Sequence, residues 1–256
     1  MAVAGIINVK EGVVVYSPAF QWRNVHLHEY IQSRIKLPVV IDNVSRVMAL
    51  GELVFGRGNE FNNFICINVG FGIGAGIIID KKIFYGTDGM AGEFGHVPVG
   101  GDKLVFCPCG KNTCLTAYSS GEAIAMRARI KMAEKPSKIL MSLCNNSPEN
   151  LTTKMVAEAA LQKDKTAMEI FQHSVYTLGL SVTGLINIFN PEAVFIGGGV
   201  SQNGEIFWKQ IKKAISCLLP TDCFKLQMTH GHVWAATPLN ETTLKKILKL
   251  VQRYWQ

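Results

Sequence analysis

No apolar run in this 256-residue chain approaches the roughly 20 residues that a membrane-spanning helix needs, so a helical span is not expected. The opening, MAVAGIINVKEG, carries neither the basic n-region nor the long apolar h-region of a secretory signal, which predicts a cytoplasmic protein with no membrane partner. Internal repeats and low-complexity segments are missing as well, which argues against a repeat array or a disordered tail. Acidic residues are in short supply: 19 Asp and Glu stand against 26 Lys and Arg, for a formal charge of +7. A basic excess suits an anionic partner such as phosphate or nucleic acid. Yet the basic residues do not form a patch. Their mild clusters, Lys209, Lys212 and Lys213 and then Lys245, Lys246, Lys249 and Arg253, fit the solvated faces of two amphipathic helices, and no direct DNA binding is expected.

What is present is a 48% hydrophobic composition, enough for a large core in one domain or two lobes. Residues 1 to 60 read as alternating α/β: GVVVYSP is a strand, HLHEYIQSRIK a helix, LPVVID a strand, and VSRVMALGELVFG a helix that ends at Gly56. NNFICINVGFGIGAGIIIDKKIFYG reads as strands with tight connections and a turn at Asp80-Lys81. A helical half follows: SSGEAIAMRARIKMAEK, LTTKMVAEAALQK, and a long buried helix from Lys165 to Phe189 that Asn190-Pro191 stops. EAVFIGGGVSQNGEIFWKQIKKAIS then gives strand, glycine turn and helix. The texture changes near Asn59 to Asn63, which divides the chain into a lobe of residues 1–60 and a lobe of residues 61–256.

Four groups of residues carry candidate chemistry. His96, Cys107, Cys109 and Cys114 form a Cys₃His set, and three of the seven cysteines lie within eight residues. In a reducing compartment such spacing suits a structural zinc; the plainer reading is three free cysteines beside a surface histidine. VGFGIGAG places Gly70, Gly72 and Gly74 where a backbone can approach a ligand or simply another strand. Gly197, Gly198 and Gly199 in IGGGV lie between a strand and a helix, as an anion cradle or as an ordinary turn. Glu93 stands three residues before His96 among small residues, as a polar-ligand contact or a surface turn.

Together these pieces resemble the ROK family of bacterial sugar kinases and sugar-responsive repressors. VGFGIGAGIIIDKKIFYGTDGMAGEFGH matches the family's glycine spacing over 28 residues and ends in its Gly-Glu-x-Gly-His element. CPCGKNTC resembles its zinc loop, with Thr113 in place of a glycine, and NPEAVFIGGGV resembles its late nucleotide-side strand and turn. The likeness runs from about residue 4 to about residue 225. It implies a mixed α/β, actin-like ATPase fold of two ribonuclease-H-like lobes, the N-terminal one incomplete. It further implies zinc on His96, Cys107, Cys109 and Cys114, and a hexose or N-acetylhexosamine contacted by Asn43, Glu93 and His96.

The departures from the family pattern are specific. Counting back from Ala49-Leu50-Gly51-Glu52, Val44 takes the place of the aspartate that acts as general base in the kinases, and Asp42 is one residue from Asn43. Phe71 stands where a small hydroxyl residue is usual near the phosphates, and Thr116 where a further sugar-binding glutamate is usual. The family's N-terminal phosphate loop and the repressors' helix-turn-helix have no counterpart, and Asn240 opens a final amphipathic helix with Leu244, Ile247, Leu248, Val251 and Trp255 on one face. The expectation is a sugar-binding effector domain that is a homo-oligomer and lacks kinase activity. The alternative is an ATP- and Mg-dependent hexose or N-acetylhexosamine kinase.

Overall fold

The computed structural model describes residues 1–101, 104–217 and 228–230. The final amphipathic helix expected from Asn240 onward lies outside the described residues. Along the chain come β1 (Ala2–Val3), β2 (Ile6–Asn8), β3 (Val13–Ser17), β4 (Trp22–Val25), α1 (Leu27–Gln32), β5 (Asp42–Asn43) and α2 (Val44–Phe55). Then follow β6 (Phe64–Val69), β7 (Ile73–Ile79) and β8 (Lys82–Ile83). Helices dominate the remainder: α3 (Leu115–Ser119), α4 (Gly121–Glu134), α5 (Lys138–Leu143), α6 (Thr153–Leu161) and α7 (Lys165–Phe189). They give way to β9 (Ala193–Gly197), α8 (Glu205–Ser216) and β10 (Met228–His230). Where the sequence divides once near residue 60, contacts divide the chain at Asn63 and again on either side of Gly76–Gly92.

The first unit comprises Met1–Asn63 and Gly76–Gly92. β2, β3 and β4 form an antiparallel meander. Its apolar residues Ile7 and Val14 join Val3, Leu27 and Ile41 in a small core. β1 runs parallel to β5, with Ala2 opposite Asp42 and Val3 opposite Asn43. LPVVID is mostly irregular and is a strand only at Asp42–Asn43. Pro38 has no N–H to give a ladder. The Val39 N–H donates to Gln32 Oε1 at 3.0 Å, and the Val40 carbonyl accepts from the amino terminus. The segment's hydrogen bonds therefore go elsewhere. Beyond β7, Asp80 and Lys81 both take positive φ (50° and 59°), the two-residue hairpin turn that the sequence suggests.

The second unit takes Phe64–Ala75 and the described residues from Glu93 on. Here β6 and β9 pair in parallel from Phe64↔Ala193 to Asn68↔Gly197. Phe64, Ile65, Cys66 and Ile67 are all buried, and so are Val194, Phe195 and Ile196. Such uninterrupted apolar runs are what parallel strands covered on both faces require. α7 packs against α3, α4, α6 and α8. It starts on the Asp164 cap, whose carboxylate accepts from the Ala167 N–H at 2.8 Å, and ends on left-handed Asn190 (φ 43°). No helix among the described residues is long and apolar enough to cross a membrane.

Candidate functional site

Two short backbone pairings assemble the cysteine cluster. His96 closes a 3₁₀ turn, and the next residues pair with the far end of the cysteine loop. Val99 N–H donates to Thr113 O, Leu115 N–H donates to Val97 O, and Pro98 bridges Cys114. Within the loop, Cys107 N–H donates to Lys111 O and Gly110 N–H to Cys107 O, both at 2.8 Å. Gly110 sits at φ 90°, a left-handed position that a glycine adopts at no steric cost. The four donor atoms of His96, Cys107, Cys109 and Cys114 lie within 4.8 Å of one another. Cys107 Sγ is 3.7 Å from His96 Nδ1, and Cys109 Sγ is 3.6 Å from Cys114 Sγ. In a tetrahedral zinc site, bonds of about 2.3 Å to sulfur and about 2.0 Å to nitrogen put neighbouring donors roughly 3.5–3.8 Å apart. Donor type and spacing therefore fit a zinc ion.

The cluster sits on Ala117, Tyr118 and Val99. Burial pushes the Cys107 thiol up to about 12 and raises that of Cys114. Burial works against Cys109 too, but the Lys111 backbone N–H, hydrogen bonds from the neighbouring thiols and the Lys111 charge outweigh it and lower that thiol. The histidine's two nitrogens face different ways. Nδ1 lies toward Cys107, while Nε2 is 3.8 Å from Glu93 Oε2. Both side chains keep solvent access, 38% for His96 and 23% for Glu93, so the pair has a face open to a polar ligand. Thr116 is buried, with no such face.

The glycine loops also belong to the second unit. Gly70 and Gly198 follow the carboxyl ends of β6 and β9, where open parallel sheets bind ligands. Gly198 has φ 95°, and a Cβ there would stand 2.5 Å from the Val69 carbonyl, so only glycine lets the two loops meet. Gly121 N–H, at the start of α4, donates to Gly70 O at 2.8 Å and adds a third loop that the sequence reading missed. The N-cap Ser120 marks that loop in the sequence only as a helix start. Gly72 has open space around it, Gly74 lies inside β7, Gly197 ends β9 and Gly199 begins a 3₁₀ turn. Phe71, 65% exposed, projects from the tip of the first loop.

Asn43 belongs to the first unit and caps α2. Its Oδ1 accepts from Ser45 N–H at 2.8 Å, and its Nδ2 donates to Gly5 O at 2.9 Å. Val44 is the first helical residue. Asp42 is tied on every side: Arg46 Nε donates to Oδ1 at 2.6 Å, Asn43 N–H also reaches Oδ1, and Tyr85 OH donates to Oδ2 at 3.0 Å. The Asp42 and Arg46 side chains are 1% and 2% exposed. Arg46 further donates to Gly89 O at 2.8 Å and lies 5.1 Å from the Tyr85 ring. Sequence pattern does not disclose Arg46 as a core residue, because a helical arginine normally reads as solvated. An open cavity of about 860 Å³ is walled partly by Tyr85 and Gly89, which this network holds, and by Ile7 and Ile41; Asn43 is not among its walls.

The ROK family model matches residues 1–242. This chain belongs to the ROK family. Over 213 residues it is 34% identical to a glucokinase of Streptomyces coelicolor, a match that covers 82% of this chain and 67% of that enzyme. It is 35% identical over 216 residues to a xylose repressor of Caldicellulosiruptor bescii, covering 84% of this chain and 53% of the repressor. The chain thus spans between about half and two thirds of these relatives. Among solved structures, a ROK family glucokinase from Streptomyces griseus in complex with glucose and AMPPNP superposes with a TM-score of 0.76. It is 35% identical, over 83% of this chain and 69% of that one. The fold of this ROK protein is accordingly the actin-like ATPase fold of the family's sugar kinases.

Proposed function

We propose that this chain binds a hexose or N-acetylhexosamine and serves as a kinase-inactive effector domain of a transcriptional regulator of carbohydrate metabolism. The state of the α2 N-terminus carries this reading. Phosphoryl transfer to a sugar hydroxyl needs a carboxylate to take the hydroxyl proton. Val44 cannot accept a proton, and the carboxylate two residues before it, Asp42, is buried and fully engaged by Arg46, Tyr85 and the Asn43 N–H. Sugar is the common factor in the names of the glucokinase and repressor relatives, which supports the binding half. In this reading Glu93 accepts hydrogen bonds from sugar hydroxyls and His96 Nε2 makes a second contact; the sugar role that the family resemblance implies for Asn43 is tested on its own. Zinc on His96, Cys107, Cys109 and Cys114 fixes the imidazole's orientation and takes no part in chemistry. DNA contact comes from a partner or from a segment N-terminal to these residues, and self-association completes the assembly.

The test is calorimetric titration of zinc-loaded protein with glucose, N-acetylglucosamine, N-acetylmannosamine and xylose, without nucleotide. Saturable binding of one sugar, weakened by Glu93→Ala, is the expected result; no binding by a folded chain would sink the reading. The glycine loops at Gly70, Gly121 and Gly198 favour a second reading, an ATP-dependent sugar kinase. Sugar-dependent ADP release by the unmodified chain would establish that one instead, and Val44→Asp asks whether the missing base is the sole defect.

A further inference from the structure

The three cysteines of the metal cluster differ in access. Cys107 and Cys114 are 4% and 1% exposed, whereas Cys109 is half-buried. Cys114 is fixed by its bridge to Pro98 and by its place at the N-cap of α3. Cys109 instead precedes Gly110, where an added Cβ would meet nothing within 4 Å. Its sulfur lies 3.6 Å from that of Cys114, and a disulfide needs about 2.05 Å, so a movement of roughly 1.5 Å by the half-buried Cys109 side chain closes the gap. Cys107 is less suited to pair with Cys109, because only Pro108, with its fixed φ, separates them.

We propose that Cys109 and Cys114 form a hydroperoxide-sensitive pair whose disulfide expels the metal and frees His96. This rests on the metal-bound reading given above. The Cys109 sulfur, as thiolate, attacks the terminal oxygen of the hydroperoxide. The O–O bond breaks, a sulfenic acid forms, and the departing oxygen leaves as water or alcohol after taking a proton. The Cys114 thiolate then attacks Cys109 Sγ, the S–O bond breaks, and hydroxide leaves as water with a second proton. Two thiolates lose two electrons in all, and the peroxide gains them. The metal then keeps only His96 and Cys107, two of the four ligands that a structural site needs. Loss of the ion releases Nδ1 of the imidazole whose Nε2 faces Glu93, which couples oxidation to the proposed sugar contact.

The experiment titrates the full zinc-loaded chain with hydrogen peroxide after elemental analysis fixes its zinc content. Zinc release is read with a chromogenic chelator, and differential alkylation with peptide mapping identifies the bonded thiols in the same samples. Stoichiometric loss of zinc that tracks a Cys109–Cys114 bond, reversed by thiol reductant plus zinc and unaltered by Cys217→Ser, is expected. In Cys114→Ser the sulfenic acid on Cys109 should persist and be trapped by a dimedone probe. Zinc release with both thiols still alkylated, or a disulfide formed with zinc retained, would overturn the proposal. A folded chain that takes up no zinc would overturn the metal reading itself, and the proposed release with it. Zinc held through oxidation leaves the metal reading standing.

Discussion

The cysteine loop and the opening turn of α2 each gather several polar groups into a small volume, and they use them in opposite ways. At α2 the carboxylate is satisfied within the turn: Asp42 takes hydrogen bonds from Arg46, Tyr85 and Asn43, and Arg46 reaches on to Gly89, while Arg46 Nη2 is left buried without a partner. In the cysteine loop four donor atoms lie within 4.8 Å of one another, at spacings that suit a shared ion. A carboxylate held this way stabilises its own lobe and is unavailable to a substrate. A convergent donor set awaits a further partner. The lesson is that residues at positions aligned with a catalytic element can be recruited into the core, and that the test is whether their valences are already filled.

Removing a metal ligand should break the comparison most severely. Cys114→Ser takes away a buried donor that also anchors α3, and losing a structural metal costs on the order of 5 kcal/mol. Thermal unfolding with and without a chelator measures this. The wild type should lose stability on chelation, whereas the variant should start low and respond little. Equal response of the two would show that the ion does not sit on this sulfur.

At α2, Arg46→Met leaves the Asp42 carboxylate buried without its cation, a loss of about 3–5 kcal/mol. Replacing both partners, as Asp42→Asn with Arg46→Met, should recover most of that loss, since no buried charge is then left unpaired. Denaturant titrations of both singles and the double close the cycle. A double variant as unstable as Arg46→Met would mean that Arg46 supports the loop through Gly89 more than through Asp42.

Acid should separate the two regions further. The folded, metal-free chain holds Cys107 and Cys114 as thiols, since burial raises both, so metal uptake near neutral pH must expel protons. Affinity for zinc therefore rises with pH and falls as acid is added, by about tenfold per pH unit for each proton released. Competition with a zinc-binding dye between pH 6 and pH 8 reads the slope. A flat profile would show that the thiolates are already formed before the ion arrives.

How far these differences were legible in the sequence depends on the interaction. The long apolar period of Lys165–Phe189, with Asp164 before it and Asn190 after, states a buried helix outright. The Cys-x-Cys-Gly spacing likewise announces convergent donors, because ligands close in sequence can meet only in a tight loop. Arg46 was illegible: its partners are the nearby Asp42 but also Tyr85 and Gly89, some 40 residues on, and no local pattern distinguishes it from a solvated arginine. LPVVID failed for a related reason, since side chain and terminus took up the backbone groups that a strand would have used. Gly121 joined the glycine loops through a single N–H that composition cannot show.

The smallest effect sharpens the comparison best, because Asn43 belongs to both descriptions. As a helix cap it stabilises α2 through Oδ1, and as a proposed sugar contact it would act through the remaining capacity of its amide. Asn43→Ala removes both roles and the bond to Gly5 O, and should cost about 2 kcal/mol of stability. Asn43→Ser keeps a capping oxygen and loses the bond to Gly5 O, so its stability should fall by about 1 kcal/mol. It has no amide to give, however, and should weaken sugar binding by about tenfold, the value of one hydrogen bond. Unfolding and calorimetry on the two variants separate the roles. If serine lowers stability and preserves affinity, the amide is structural only, and the α2 turn contributes nothing to the ligand.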